Sequence, residues 1–203
     1  MRGPAKKRSY HHGDLRAALI DTAVELIAER GVRDFSLAEA SRRLGVTVAA
    51  PYRHFADREA LLAAAAVRAS EALAEALAAV PNGLPPEERL AGFAAAYVRF
   101  AAENRPLFET LFAAGLDKSR HPELEESSRR TKSDLITAAL MLSGGDHATA
   151  EALVIAVATA AHGHATLLMD GGFGLGPEAV DLAVAQAAAV TRAVIAGRSA
   201  LGQ

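Results

Sequence analysis

Apolar side chains recur along this chain at spacings of three and four and almost nowhere at two, a pattern that predicts helices and no strands. Asp14 is placed to cap a first helix whose apolar positions Leu15, Leu19, Ala23, Leu26 and Ile27 share a stripe, and Gly31 ends it. Ser36-Leu37-Ala38-Glu39 is a capping box that opens a second, short helix running to Gly45, with Phe35 and Ala40 spaced as a hydrophobic staple. Thr47 then caps a two-turn helix, and Asp57 caps a long one from Arg58 to about Val80. After the break Pro81-Asn82-Gly83-Leu84-Pro85-Pro86, helices are expected over 86–103, 105–115, 122–142, 147–170 and 177–196. Asn104 with Pro106, Gly115, His121-Pro122, Gly144-Gly145 and the glycines between Gly171 and Gly176 punctuate them. The expected fold class is all-α with nine helices, and no fixed-period repeat is present.

With Thr47 as cap, the two-turn helix TVAAPYRHF carries Pro51 as its fourth helical residue. There the missing N–H forfeits only the first helical bond, to the Thr47 carbonyl, which costs well below the about 3 kcal/mol of a proline in a helix interior. Val48, Pro51 and Phe55 fall on one stripe beside Leu44 and Val46 and are expected inside. Ala49, Ala50, Arg53 and His54 then face out, a surface of small and cationic residues that can approach another molecule closely. Two short helices joined by a turn at Gly45, the second with such a face, describe a helix-turn-helix reader of double-stranded DNA, or else a plainly packed helix pair. As a reader, Arg53 can offer paired donors to a guanine edge, and His54 a phosphate or base contact. The Ala49 and Ala50 methyls can meet thymine, and the Tyr52 hydroxyl can reach a phosphate. Ser36, at a helix N-terminus, is a further phosphate candidate. Ile27, Phe35, Ala38, Ala40 and Leu44 are read as core.

Charge sharpens this picture. The net charge is only −2, but residues 1–58 hold 11 Lys and Arg against 7 Asp and Glu, while the remainder holds 11 against 17. A basic front on an acidic body suits contact with polyanion at one end, although a solvated basic tail has the same signature. Lys6, Lys7 and Arg8 form an arm that can enter the minor groove, graze phosphate or add only non-specific attraction. The absence of cysteine excludes disulfides, thiolate zinc sites and cysteine nucleophiles and fits a reducing compartment. The start MRGPAKKRSYHHGD has no apolar stretch behind it and is not a secretory signal. Ala152 to Met169 is apolar enough to be mistaken for a membrane span, but its alanines and its central His162-Gly163-His164 favour a helix buried between neighbours.

The stretch SLAEASRRLGVTVAAPYRHFADREALL resembles the DNA-binding half of the TetR family of bacterial regulators, with its Tyr-x-His-Phe and following Leu-Leu pair. SYHHGDLRAALIDTAVELIAERG is similar to the first helix of the branch that begins Tyr-His-His-Gly-Asp-Leu-Arg. The resemblance covers residues 9–65, and beyond them only the helical layout and length agree. It implies that Thr47, Val48, Ala49 and Ala50 form the first turn that contacts bases and backbone. Tyr52 and His54 take phosphate-contacting positions, Arg58 holds phosphate at the start of the following helix, and Pro51 is a core position. Val48 stands where the family often has a polar residue. It further implies a cytoplasmic homodimer pairing through its last two helices, here Ala148 to Met169 and Glu178 to Ile195, and two domains, 1–57 for DNA and 58–203 for ligand and dimerisation.

The middle helices would enclose a cavity for an unidentified small-molecule effector, apolar or amphipathic. Its candidate walls are Phe93, Tyr97, Phe100, Phe108, Phe112, Met141, Leu167 and Met169, with Thr166 and His162 as polar groups. His162 can be a pocket anchor or a packed interface histidine; a metal site is disfavoured, because His162 and His164 point to different helix faces. No cofactor, metal or membrane partner is called for. The expectation is a ligand-released transcriptional repressor on a palindromic operator, and not an enzyme. The rival, a helical enzyme or adaptor whose helix pair only packs, lacks G-x-S-x-G, H-E-x-x-H, P-loop and dinucleotide signatures. Glu123, Glu125 and Glu126 followed by Arg129 and Arg130 read as a salt-bridged, solvated face.

Overall fold

The first stripe of apolar residues does what its spacing requires. In a computed structural model, which describes residues 15–112, 116 and 120–200, Leu19, Ala23, Leu26 and Ile27 are buried on one side of α1 (Leu15–Asp34). Next comes α2 (Leu37–Leu44), then α3 (Arg58–Ala78), α4 (Pro86–Glu103) and α5 (Arg105–Leu111). The order ends with α6 (Pro122–Leu142), α7 (His147–Met169) and α8 (Pro177–Ala196), and 3₁₀ turns lie at Pro51–Arg53 and Arg198–Ala200. The described residues therefore hold eight α-helices, not nine, and no strand. Asp14, Gly115 and the arm Lys6, Lys7 and Arg8 lie outside the described residues.

Two buried apolar clusters organise these helices. One, the head, joins α1 and α2 with Phe35, Phe55 and the first half of α3 through Leu61, Leu62 and Ala65. The other, the body, takes Leu73 and Leu77 from the second half of α3, together with α4, Phe108 of α5, and α6 to α8. Each fully buried Leu or Ile stabilises by about 1.5–3 kcal/mol relative to an exposed one. The exposed bidentate pair of Arg43 with Glu29, at 2.8 and 2.6 Å, is screened by solvent and contributes far less. Apolar packing therefore orients α2 on α1, and the ion pair trims the fit.

Local signals explain most boundaries. Ser36 caps α2, its Oγ accepting from the Glu39 N–H at 3.2 Å, but the other half of the capping box is diverted: the Glu39 carboxylate pairs with Arg42 and Arg30. Ala38 is exposed and not core, because Leu37, Ala40 and Ser41 are the positions of this helix that meet α1. Gly45 closes α2 in the left-handed region at φ 68, ψ 27. Ser41, Thr110 and Thr191 are buried, and each hydroxyl donates to the carbonyl four residues earlier in its own helix, at 2.8, 2.7 and 2.9 Å.

Within α1 the helix breaks at Gly31, with φ 77 and ψ 166, as the glycine there foretold. That region is open essentially to glycine alone. Nothing lies within 4 Å of a Cβ built on Gly31, so Gly31→Ala should lower stability by about 1–3 kcal/mol through backbone strain alone. A denaturant titration checks this; an unchanged midpoint would show that the corner relaxes without cost.

Candidate nucleic-acid interface and effector cluster

The segment expected to form a third α-helix takes a tighter course. The Ala50 N–H donates to the Thr47 carbonyl at 2.9 Å, Arg53 to Ala50 at 3.3 Å and His54 to Pro51 at 2.9 Å, all three-residue steps. The 3₁₀ turn begins after Ala50, which makes no side-chain cap, so Thr47 is not the N-cap of an α-helix. Pro51 supplies the reason. Its missing N–H leaves the Thr47 carbonyl to Ala50, and its ring crowds the carbonyl four residues back, so the short i to i+3 pattern takes over.

Pro51 and Phe55 are buried as the stripe required, with Leu44 and Val46 half-buried. Val48 departs from it at 60% exposure, because the tighter turn carries it out of the apolar seam. The displayed row is thus Thr47, Val48, Ala49, Tyr52 (59% exposed), Arg53 and His54, with Ala50 half-buried behind it. Cations around this row differ in commitment. Arg42 and Arg43 are held by Glu39 and Glu29, and the arginine hydrogen bonds keep both carboxyls below the usual glutamate range. Arg53 makes no ion pair among the described residues, so its five donors face solvent.

Arg58 departs from the row. Its Nε donates to the Phe35 carbonyl at 2.8 Å, its Nη2 donates to the Val32 carbonyl, and its guanidinium lies 5.6 Å from the Phe35 ring centre. A contact between residues 23 or more positions apart leaves no trace in spacing, so these two carbonyl partners were not legible in the sequence.

In the body, four of the expected wall residues meet. His162 Nδ1 lies 2.9 Å from the Tyr97 hydroxyl, the imidazole stacks on Phe108 with centres 5.6 Å apart, and Phe112 lies 4.5 Å from the imidazole and 4.9 Å from Phe108. Burial pushes the Tyr97 hydroxyl far above its ordinary value, so it keeps its proton. Phe93 and Phe100 are buried in the body core, Met169 is half-buried against it, and Met141, Leu167 and Thr166 are exposed. His164 turns to other partners, its Nδ1 2.7 Å from the Ala160 carbonyl and its ring stacked on Phe173. No three His, Asp or Glu side chains gather as a metal site among the described residues. Two open grooves, of about 480 and 540 Å³, run between α3 and the start of α6, the larger also reaching α1; the aromatic cluster lines neither.

These features have counterparts in known proteins. Residues 19–65 match the profile described as bacterial regulatory proteins, tetR family, and residues 90–194 match the one described as tetracyclin repressor-like, C-terminal domain. No curated protein matches the chain. Among solved structures, a protein of unknown function from Rhodococcus sp. RHA1 is 28% identical, with a TM-score of 0.70, covering 92% of this chain and 98% of that one. A TetR-like transcriptional regulator from the same organism is 21% identical over 100% of both chains, with a TM-score of 0.66. The Bacillus subtilis regulator FadR, in complex with stearoyl-CoA, is 16% identical over 88% of this chain and 96% of that one, with a TM-score of 0.68. The last two similarities show the fold alone. Because the C-terminal profile by itself spans more than half of the 203 residues and the N-terminal one covers the displayed turn, the chain belongs to the TetR family and is a ligand-responsive, DNA-binding transcriptional regulator.

Proposed function

We propose that the protein is a cytoplasmic homodimeric repressor that reads a palindromic operator and is released by a small apolar or amphipathic molecule. The observation that carries this reading is the exposed row from Thr47 to His54 with its uncommitted Arg53, set on a turn whose Pro51 and Phe55 are locked into the head core. In this reading residues 1–57 are the DNA-binding unit and 58–203 the ligand and dimer unit. Arg53 reads a guanine edge, while Thr47, Val48, Ala49 and Ala50 lie against bases and sugar. Tyr52, His54 and Ser36 hold phosphate, and the arm Lys6, Lys7 and Arg8 adds counterion release.

Dimerisation is supported by apolar surface that the protomer leaves bare. Ile155 on α7 is 66% exposed and Leu182 on α8 is 49% exposed. Both helices reach a mean hydropathy of 1.5 or more, with only 28% of each apolar window buried in the chain. A surface of that kind is covered in solution, and a second copy offers its own α7 and α8 to do so. The effector site is placed at Tyr97, Phe108, Phe112 and His162, whose single polar pair would anchor one hydrogen-bonding group of an otherwise apolar molecule. An effector acts only if it binds one head spacing better than the other. Since α3 runs from the head cluster into the body cluster, its tilt is the proposed carrier.

Titration against duplex DNA from upstream of the protein's own gene, with shuffled competitor, should show tight binding that survives the competitor. Arg53→Ala should then cost about 1–3 kcal/mol and relax preference at one symmetric pair of positions; equal weak binding to both DNAs would overturn the reading. Ile155→Asp combined with Leu182→Asp should shift sedimentation from dimer to monomer and lower operator affinity together. A double variant that stays dimeric would place the interface elsewhere.

A further inference from the structure

Arg58 opens α3 directly after the Asp57 cap, yet its side chain runs back under the head. The two carbonyls it engages, Val32 and Phe35, bracket the corner between the Gly31 break in α1 and the Ser36 cap of α2. The next residue faces the other way. Glu59 accepts from His121 Nε2 at 3.1 Å and pairs with Arg120 at 3.3 Å, both just ahead of α6. Successive side chains at the start of α3 thus tie that helix to the head on one side and to the body on the other.

We infer that Arg58 is a positioning residue that fixes the angle of the reading head on α3 through the Val32 and Phe35 carbonyls, and that it is not an operator phosphate ligand. The inference rests on the DNA-binding reading above and adds the means by which head orientation is held. A planar guanidinium can send two N–H groups to two separate carbonyls while lying over the Phe35 ring; an ammonium is a point charge that keeps the net charge but not the fork. The function that needs such a clamp is spacing. Two heads of a dimer meet half-sites about one helical turn apart, and one inserted base pair swings a half-site by roughly 35° around the duplex. A head that swivels on α3 tolerates that error, and a clamped head does not.

The test uses the full-length protein and an operator selected by the wild type from random-sequence duplex DNA. Arg58→Ala and Arg58→Lys are titrated over a salt series, and against operators with one base pair added or removed at the centre. Both variants should bind the symmetric operator tenfold or more weakly, discriminate spacing several-fold less, and keep the wild-type salt slope, with lysine giving no rescue. A phosphate ligand would behave oppositely: lysine restores affinity, and alanine flattens the slope by about 0.9 for each phosphate no longer neutralised, with spacing discrimination intact. That result, or wild-type behaviour in both variants, overturns the inference. Hydrogen exchange of the DNA-free protein is the independent arm. Both variants should speed exchange in α2 and leave α7 and α8 unchanged, and unaltered α2 exchange in a folded Arg58→Lys protein overturns the clamp. A wild type that selects no DNA would strike the repressor reading, while this second arm would still decide the clamp.

Discussion

Everything in this molecule hangs on one continuous helix belonging to two cores. The 21 residues of α3 span about 31 Å at 1.5 Å per residue. Leu61, Leu62 and Ala65 are packed into the head, and Leu73 and Leu77 into the body. Neither core can be completed without its half of α3. The head is therefore not a bead on a linker, because tilting α3 inside the body must carry the head with it. The contacts of α5 with both α1 and α3 add a second bearing surface, and Leu116 packs against the head core beyond it.

The exposed ion pairs act as fittings on an apolar frame. Arg68 pairs with Asp21 across α1 and α3, while Arg192 meets Glu88 at 2.8 and 2.7 Å and Arg99 meets Asp181 at 3.2 Å across α4 and α8. All are exposed and screened by solvent, so they add little to the apolar packing. Arg58 is different in kind. It is half-buried, its partners are neutral carbonyls, and its contribution is direction rather than attraction.

Most of the architecture could be read before any coordinate. Gly31, Gly45, Asp57, Pro86 and Pro177 mark element ends because each acts through its own backbone or cap, a local effect that local sequence records. The failures share a cause as well. At Pro51 an i to i+3 pattern and an α-helix differ by one hydrogen bond, and tertiary packing of Pro51 and Phe55 decides between them. That choice in turn puts Val48 in solvent. Ala38 defeats a reading from spacing because alanine suits either face of a helix, and which face α1 covers is settled by Leu37 and Ala40. The grouping of Tyr97, Phe108, Phe112 and His162 was legible only as a set of wall candidates, since residues 65 positions apart carry no periodic signal of their meeting.

The buried hydroxyls of Ser41, Thr110 and Thr191 all turn back onto their own helices, and this has a mechanical consequence. A hydroxyl bonded within its own helix asks nothing of the neighbour; α4 and α8 are also joined by Arg99 with Asp181 and Arg192 with Glu88, whereas the packing where α4 meets α7 is largely of apolar side chains. Such contacts permit small sliding of packed helices at little cost. The bond between Tyr97 on α4 and His162 on α7 is the detent in that assembly. It joins one helix to the other at a single point and sets their register there.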